Sequence, residues 1–437
     1  MLHTDSTSQA SATQLASKLR SREISALEVV DACLKRIAAR DSEIHAWTAV
    51  DEAYARDQAR ALDSGKIRGP LHGIPIAVKD IIATARLPTE YGSPIYAGHM
   101  PDNDAGCVAA ALEAGAIVLG KTTTTEFAFL SPTATANPRN PAHTPGGSSS
   151  GSAAAVADDM VPLAFGTQTA GSVIRPASYC GVVGYKPTFG MIDRSGVKLI
   201  AESLDTVGVF ARTASDAALF TSAITGKSDL WDPDSENDEI RIGFCRTRDW
   251  NEVDPEVAII IASVVETLSA CGARISIVEL PPDFAELHHA HAAVQGFEAA
   301  RNLRFEREEH RSSLSPMLLT MLDEGAGVSE TRYKAGQDLV SACRRSLSDI
   351  FGNCHVLITA SATGEAPKGL ESTGNPVMNR IWTALHTPCV SVPAAYGPSG
   401  LPVGVQIIGR PGDDARALAC ADWIDRQIRV SQKVLIG

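Results

Sequence analysis

Short apolar runs, each ended by a glycine, a proline or a polar turn, recur along this chain and constrain its fold more than any other feature. They lie at 74–78, 116–119, 161–165, 240–244, 273–278, 356–359, 389–392 and 403–408. Short runs of this kind suit strands buried in a sheet. Stretches of helical periodicity separate them, at 105–114, 152–157, 213–224, 255–270 and 414–426. Two amphipathic helices carrying Leu15, Leu19, Leu27, Val30, Cys33, Leu34 and Ile37 come before the first run. The alternation predicts an α/β layered architecture. Because the runs after residue 350 resemble those before 226, one sheet built from both ends of the chain is expected, with the middle inserted. Residues 284–350 read as a mostly helical, cap-like region, and 227–239, with six acidic residues, as a solvated linker.

Charge narrows the class of partner. The 437 residues carry a formal net charge of −12, which repels phosphate backbones and anionic lipid, and no basic patch offsets it. Nucleic acid and membrane are therefore not expected as partners. Nine cysteines without a Cys-x-x-Cys pair fit free thiols in a reducing compartment. With no signal-type apolar core in the first twenty residues and no long apolar span, a cytoplasmic location is expected.

Three glycine-marked segments hold groups suited to acyl transfer. Lys79 ends Leu71-His-Gly-Ile-Pro-Ile-Ala-Val-Lys79, Ser148 lies in Pro145-Gly-Gly-Ser-Ser-Ser-Gly-Ser152, and Ser172 closes Gly166-Thr-Gln-Thr-Ala-Gly-Ser172. A nucleophile, a base for its proton and donors for an oxyanion can all come from these segments, with no histidine or metal. Lys79 stands at the end of an apolar run, where burial lets a lysine lose its proton and act as a base. In the third segment the turn follows a strand, so the backbone N–H groups of Thr169, Ala170, Gly171 and Ser172 are placed to converge on one point.

Other patterns read less well. Gly147-Ser-Ser-Ser-Gly151 matches the nucleophile elbow centred on Ser149, but the proline-rich stretch before it cannot be the strand an elbow needs. The Gly-Lys-Ser/Thr end of a phosphate loop is missing. His288-His-Ala-His291 would point its rings in different directions on a helix, so surface histidines are expected there and no metal.

Taken together, the segments resemble the amidase signature family, from about Leu15 to Arg426 and most densely from Leu71 to Gly190. The resemblance rests on Gly-Gly-Ser-Ser-x-Gly-Ser-Ala-Ala-Ala-Val, then Gly-Thr-x-Thr-x-Gly-Ser, Arg-Pro-Ala and Cys-Gly. It implies a large mixed, mostly buried central sheet surrounded by helices. It further implies a single amidase domain over 1–437, with a signature core at 71–226. Ser172 would be the nucleophile, Ser148 a bridging serine in a cis peptide, and Lys79 the base, with oxyanion donors from Thr169 to Ser172 and no cofactor.

Lys121-Thr-Thr-Thr-Thr-Glu126, Ser150, and the arginine three places after Ser172 are similar to the malonamidase branch of the family. That branch implies a small carboxamide substrate bearing a carboxylate, which Arg175 and Gln295 would hold. The alternative for Arg175 is a structural pairing with a protein carboxylate. Gln168 stands where many members have Asp, and Ala170-Gly171 where many have two glycines. A homodimer is compatible with the resemblance. Two other readings share its core motifs, the amidase-type component of a tRNA-dependent amidotransferase (its A subunit) and a catalytically silent binding protein.

Overall fold

The computed structural model describes residues 6–230 and 240–436. Its centre is a mixed sheet of eleven strands: β1 (Trp47–Val50), β2 (Pro75–Lys79), β3 (Ile117–Thr122), β4 (Leu163–Gln168), β5 (Val183–Lys186), β6 (Thr206–Ala211), β7 (Arg241–Cys245), β8 (Arg274–Val278), β9 (Val356–Ala360), β10 (Cys389–Tyr396) and β11 (Pro402–Ile408). They are ordered β1-β3-β2-β4-β6-β5-β10-β11-β9-β7-β8. β2, β3, β4, β5, β6, β9 and β11 are buried at every residue, as strands covered by helices on both faces must be.

β2 pairs in parallel with β3 on one side and β4 on the other. The C-terminal ends of these three strands therefore open at the same edge of the sheet. Polar residues stand there, Lys79 on β2, Lys121 and Thr122 on β3 and Thr167 and Gln168 on β4, at the end of strands that are otherwise apolar. A crevice beyond the carboxyl ends of parallel strands is the usual ligand position in such sheets.

Both ends of the chain do build one sheet, joined where β5 meets β10. The middle is less separate than the sequence suggested, since β7 and β8 extend the same sheet at its far edge. β8 is exposed at Arg274, Ser276 and Ile277 and buried at none of its residues, as suits an edge strand. Among residues 284–350 lie the helices Leu287–Asn302, Arg304–Glu309, Pro316–Ala326 and Glu330–Arg345. Leu287, Val294, Leu318, Leu322 and Val340 from these helices form a second apolar cluster with Ile174, Ile381 and Trp382. That cluster fastens the helical region to the segments beyond the β4 edge. Of the acidic stretch, 231–239 lies outside the described residues. All nine cysteines are free, and among the described residues no helix is long and apolar enough to cross a membrane.

The helix Ser150–Ala157 begins two residues after Ser148, and every one of its residues is buried. Its small side chains let its backbone lie directly on neighbouring chain. Gly151 donates its N–H to the Thr123 carbonyl at 3.0 Å, and a β-carbon there would overlap Ala46 O and Thr123 N. Backbone atoms cannot move aside as a side-chain tip can. Replacing Gly151 by Ala is expected to cost about 1–3 kcal/mol, read as a lower denaturation midpoint. An unchanged midpoint would show that the contact relaxes freely.

Candidate active site

Lys79 is wholly buried at the end of β2. Its Nζ lies 2.8 Å from Ser148 Oγ and 2.8 Å from Thr167 Oγ1. No carboxylate stands within ion-pair distance of it among the described residues. Lys121, on the adjacent strand and equally buried, differs in that respect, with its Nζ 3.0 Å from Asp80 Oδ1 and 2.5 Å from Thr89 Oγ1. Lacking such a partner, Lys79 is pushed down to about 7 by loss of solvent, with Asp205 opposing from a distance. Its neutral amine is thus accessible near neutral pH.

The serines of the second segment do different work. Gly146 has φ +83 and the Gly147–Ser148 peptide is cis. The Ser148 carbonyl accepts the Thr125 N–H at 3.2 Å, while its hydroxyl faces Lys79. Ser149 donates to the Thr167 carbonyl at 3.2 Å and accepts the Thr167 N–H at 3.3 Å, pinning the loop to β4. Fully buried and committed to backbone, Ser149 is not a free hydroxyl. Ser150 reaches the Thr123 carbonyl at 3.4 Å, and Ser152 the Phe165 carbonyl at 2.8 Å.

β4 runs into a turn at 169–173 that leads to the helix Ile174–Cys180. Gln168 Oε1 accepts the N–H groups of Val173 (2.9 Å) and Ile174 (3.1 Å), capping that helix, and its Nε2 donates to Thr383 Oγ1 at 2.9 Å. An amide can donate and accept at once where a carboxylate only accepts, so Gln168 ties the turn to the helix Val377–Ala384 as well. The first three carbonyls of the turn are also occupied. His291 Nε2 lies 2.9 Å from Thr169 O, Thr383 Oγ1 donates to Ala170 O at 2.7 Å, and the Arg175 N–H donates to Gly171 O at 3.0 Å.

The N–H groups of Thr169, Ala170, Gly171 and Ser172 have no acceptor among the described residues. That is the disposition of an oxyanion site, with carbonyls tied back and donors left open. Ser172 itself is 8% exposed beside them.

Two further groups hold the turn, and neither was singled out for that role in the sequence. Asp205 accepts the Thr169 hydroxyl and the N–H groups of Ile200 (2.7 Å) and Ala201 (3.0 Å), and burial raises its carboxyl to about 6. Its sequence signal is a single acid at the mouth of the apolar strand β6. His291 corrects the surface reading of the histidine run, being completely buried, while His289 is exposed and His288 Nε2 meets Asp249 Oδ2 at 2.5 Å. Since a carbonyl only accepts, His291 carries its proton on Nε2. Burial lowers its pKa to about 3 and keeps it neutral.

Arg175 is 1% exposed. Its Nε donates to Thr373 O at 2.7 Å, and one terminal nitrogen donates to Gly147 O at 2.7 Å and Thr373 Oγ1 at 3.2 Å. The other terminal nitrogen is buried without a partner. No protein carboxylate pairs with it among the described residues, so the structural pairing considered from the sequence is not found. Instead Arg175 joins the Ser148 loop to the 373 loop and leaves one donor over. Burial lowers its pKa to about 10, with the charge of Arg380 acting the same way. Gln295 lies one helical turn beyond His291 on Leu287–Asn302, half-buried, and its amide has no hydrogen bond among the described residues. No cluster of three metal-ligating side chains occurs among the described residues.

Residues 28–418 match the amidase family. The A subunit of glutamyl-tRNA(Gln) amidotransferase from Anaeromyxobacter sp. (strain K) is 33% identical over 93% of this chain and 94% of its own length. Its counterpart from Roseiflexus castenholzii (strain DSM 13941 / HLO8) is 33% identical over 92% and 93%. A crystal structure of an amidase superposes with a TM-score of 0.87 at 27% identity, covering 96% of this chain and all of that one. The native peptide amidase of Stenotrophomonas maltophilia gives 0.80 at 26%, covering 96% and 97%. The matched span takes in the whole path from Lys79 to Gln295 and all of the sheet: the chain belongs to the amidase signature family.

Proposed function

We propose that this protein is an amidohydrolase that releases ammonia from the carboxamide of a small, carboxylate-bearing substrate of the malonamate kind. The observation that carries the reading is a buried lysine without a counter-charge, 2.8 Å from the hydroxyl of Ser148. In its neutral form Lys79 accepts the Ser148 proton, and Ser148 in turn takes the proton of Ser172. Ser172 Oγ then attacks the amide carbon while the developing oxyanion meets the open N–H groups of 169–172.

The relayed proton passes back to the leaving nitrogen as the C–N bond breaks, giving ammonia and an acyl-enzyme. Water, deprotonated by the same relay, displaces Ser172 and yields the acid. No cofactor enters this sequence of steps. Arg175, with a guanidinium nitrogen to spare, grips the substrate carboxylate, and Gln295, whose amide makes no hydrogen bond among the described residues, is the second group assigned to it.

The similarity to the amidotransferase chains supports a second reading, in which the same chemistry frees ammonia from glutamine for charged tRNA. The net charge of −12 and the unpaired Arg175 favour a small acid instead. Co-purification with partner subunits and glutamine-dependent amidation of charged tRNA would decide for the amidotransferase. Nine free thiols favour a reducing, cytoplasmic setting.

Ser172→Ala and Lys79→Ala are each expected to lower kcat/KM for malonamate by about 10²–10⁴-fold or more, measured as ammonia release. Near-normal turnover in the Ser172→Ala protein would remove the mechanism. A fluorophosphonate should label the wild type at Ser172, and failure to label would favour a silent binding protein.

The pH dependence follows from the same lysine. The reactive form is the neutral amine, and burial brings its pKa to about 7. Log kcat/KM is thus expected to rise with pH below about 7 and to level off by about 8. A profile flat from pH 6 to 9 would exclude Lys79 as the titrating base.

A further inference from the structure

Several buried polar atoms without partners belong to residues that hold the turn after β4 or to the helix packed on it. Besides the spare nitrogen of Arg175, they include Arg380 Nε, His291 Nδ1 and Asn379 Oδ1. Asn379 and Arg380 both belong to the helix Val377–Ala384, whose Thr383 holds the Ala170 carbonyl at 2.7 Å. Asn379 closes on Gly171 so tightly that a β-carbon there would overlap its Oδ1, and the same β-carbon would stand 3.1 Å from the spare nitrogen of Arg175. Arg380, three residues before Thr383, stands on the part of this helix that faces the turn.

Arg380 makes no ion pair within the described residues. Asp249 is the acid that acts on it, from a distance, and the Asp249 carboxylate is already engaged by His288 Nε2 at 2.5 Å. The positive charge of Arg380 also bears on Arg175 and on neutral His291, lowering the proton affinity of both. Two guanidinium groups without anions, sharing one buried region, are unfavourable unless a ligand neutralises them. A carboxylate suits the pair, because its two coplanar oxygens can each accept from a different guanidinium.

We propose that Arg380 is the second carboxylate-binding residue of this site, so that the substrate's carboxylate bridges Arg175 and Arg380. This rests on the amidohydrolase reading above and sharpens its substrate class. The carboxylate is held next to Gly171, so the selected amide is a short acid with few atoms between its carboxylate and its carboxamide. A neutral amide of the same length fills the space but leaves both guanidinium groups unanswered.

The test compares kcat/KM for malonamate with that for propionamide in the wild type, Arg380→Met and Arg175→Met. The wild type is expected to prefer malonamate, and Arg380→Met to reduce the ratio by about tenfold or more, chiefly through KM. A ratio within about twofold of the wild type overturns the inference. Should Arg380→Met fail to fold, Arg380→Lys keeps a charge but loses the Nε donor, and its ratio is expected to fall by about threefold or more. An unchanged ratio in Arg380→Lys overturns the inference equally.

If the wild type shows no preference for malonamate, the carboxylate reading fails and this one with it. If the preference is present and Arg175→Met abolishes it while Arg380→Met does not, this inference alone fails. Protection against thermal unfolding by malonate gives a readout independent of turnover. Malonate should raise the melting temperature of the wild type more than that of Arg380→Lys, and equal shifts count against Arg380.

Discussion

An amine held in a low-dielectric interior by two hydroxyls, with no carboxylate to keep it charged, is the interaction around which this molecule is organised. Lys79 occupies that position because β2 lies between two parallel neighbours and delivers its last side chain to the shared C-terminal edge. Lys121 on the next strand is the internal control. It is as deeply buried, yet Asp80 at 3.0 Å answers its charge. Burial lowers the pKa of both, Lys79 to about 7 and Lys121 to about 8, but only Lys121 has a carboxylate beside it to favour its charged form.

Around that amine the polypeptide is held from outside. The turn after β4 has each of its first three carbonyls fixed, by His291, Thr383 and the Arg175 N–H, while Gln168 caps the helix that follows. Asp205 anchors the Thr169 hydroxyl from the opposite side. What is left over is a set of N–H donors and a serine. Preorganisation of this kind costs nothing at the moment of reaction, because the dipoles were oriented when the chain folded. The donors to those carbonyls come from segments far apart in sequence, so the turn stays aligned only while the helical region remains seated on the sheet.

Much of the fold was legible because strand burial leaves a local trace. β2, β3, β4, β7, β8, β9, β10 and β11 stood out as short apolar runs, and their ends shifted by no more than a few residues. β1, β5 and β6 were not recognised, since β1 is nowhere fully buried and Gly184, Lys186, Thr206 and Gly208 interrupt the apolar character of the other two. Lys186 is buried all the same, its ammonium satisfied by the Pro187 and Thr387 carbonyls. The helix Val377–Ala384 also escaped notice. Its polar members Asn379 and Thr383 are buried against the turn after β4 rather than exposed to solvent, so its polar residues do not mark a solvent face.

By itself the sequence determined which residues stand at the ends of buried strands and which segments must turn sharply, because hydrophobic runs and glycines act within a few residues of themselves. It therefore put Lys79 at the end of a strand and Ser148 and Ser172 in glycine-marked turns, which is where they lie. Only the tertiary structure decided what surrounds them. That Lys79 lacks a carboxylate, that Arg175 has a donor to spare and that His291 is buried against Thr169 all depend on contacts between residues some 70 to 200 positions apart. Charge compensation is a property of three-dimensional neighbours, and no spacing along the chain encodes it.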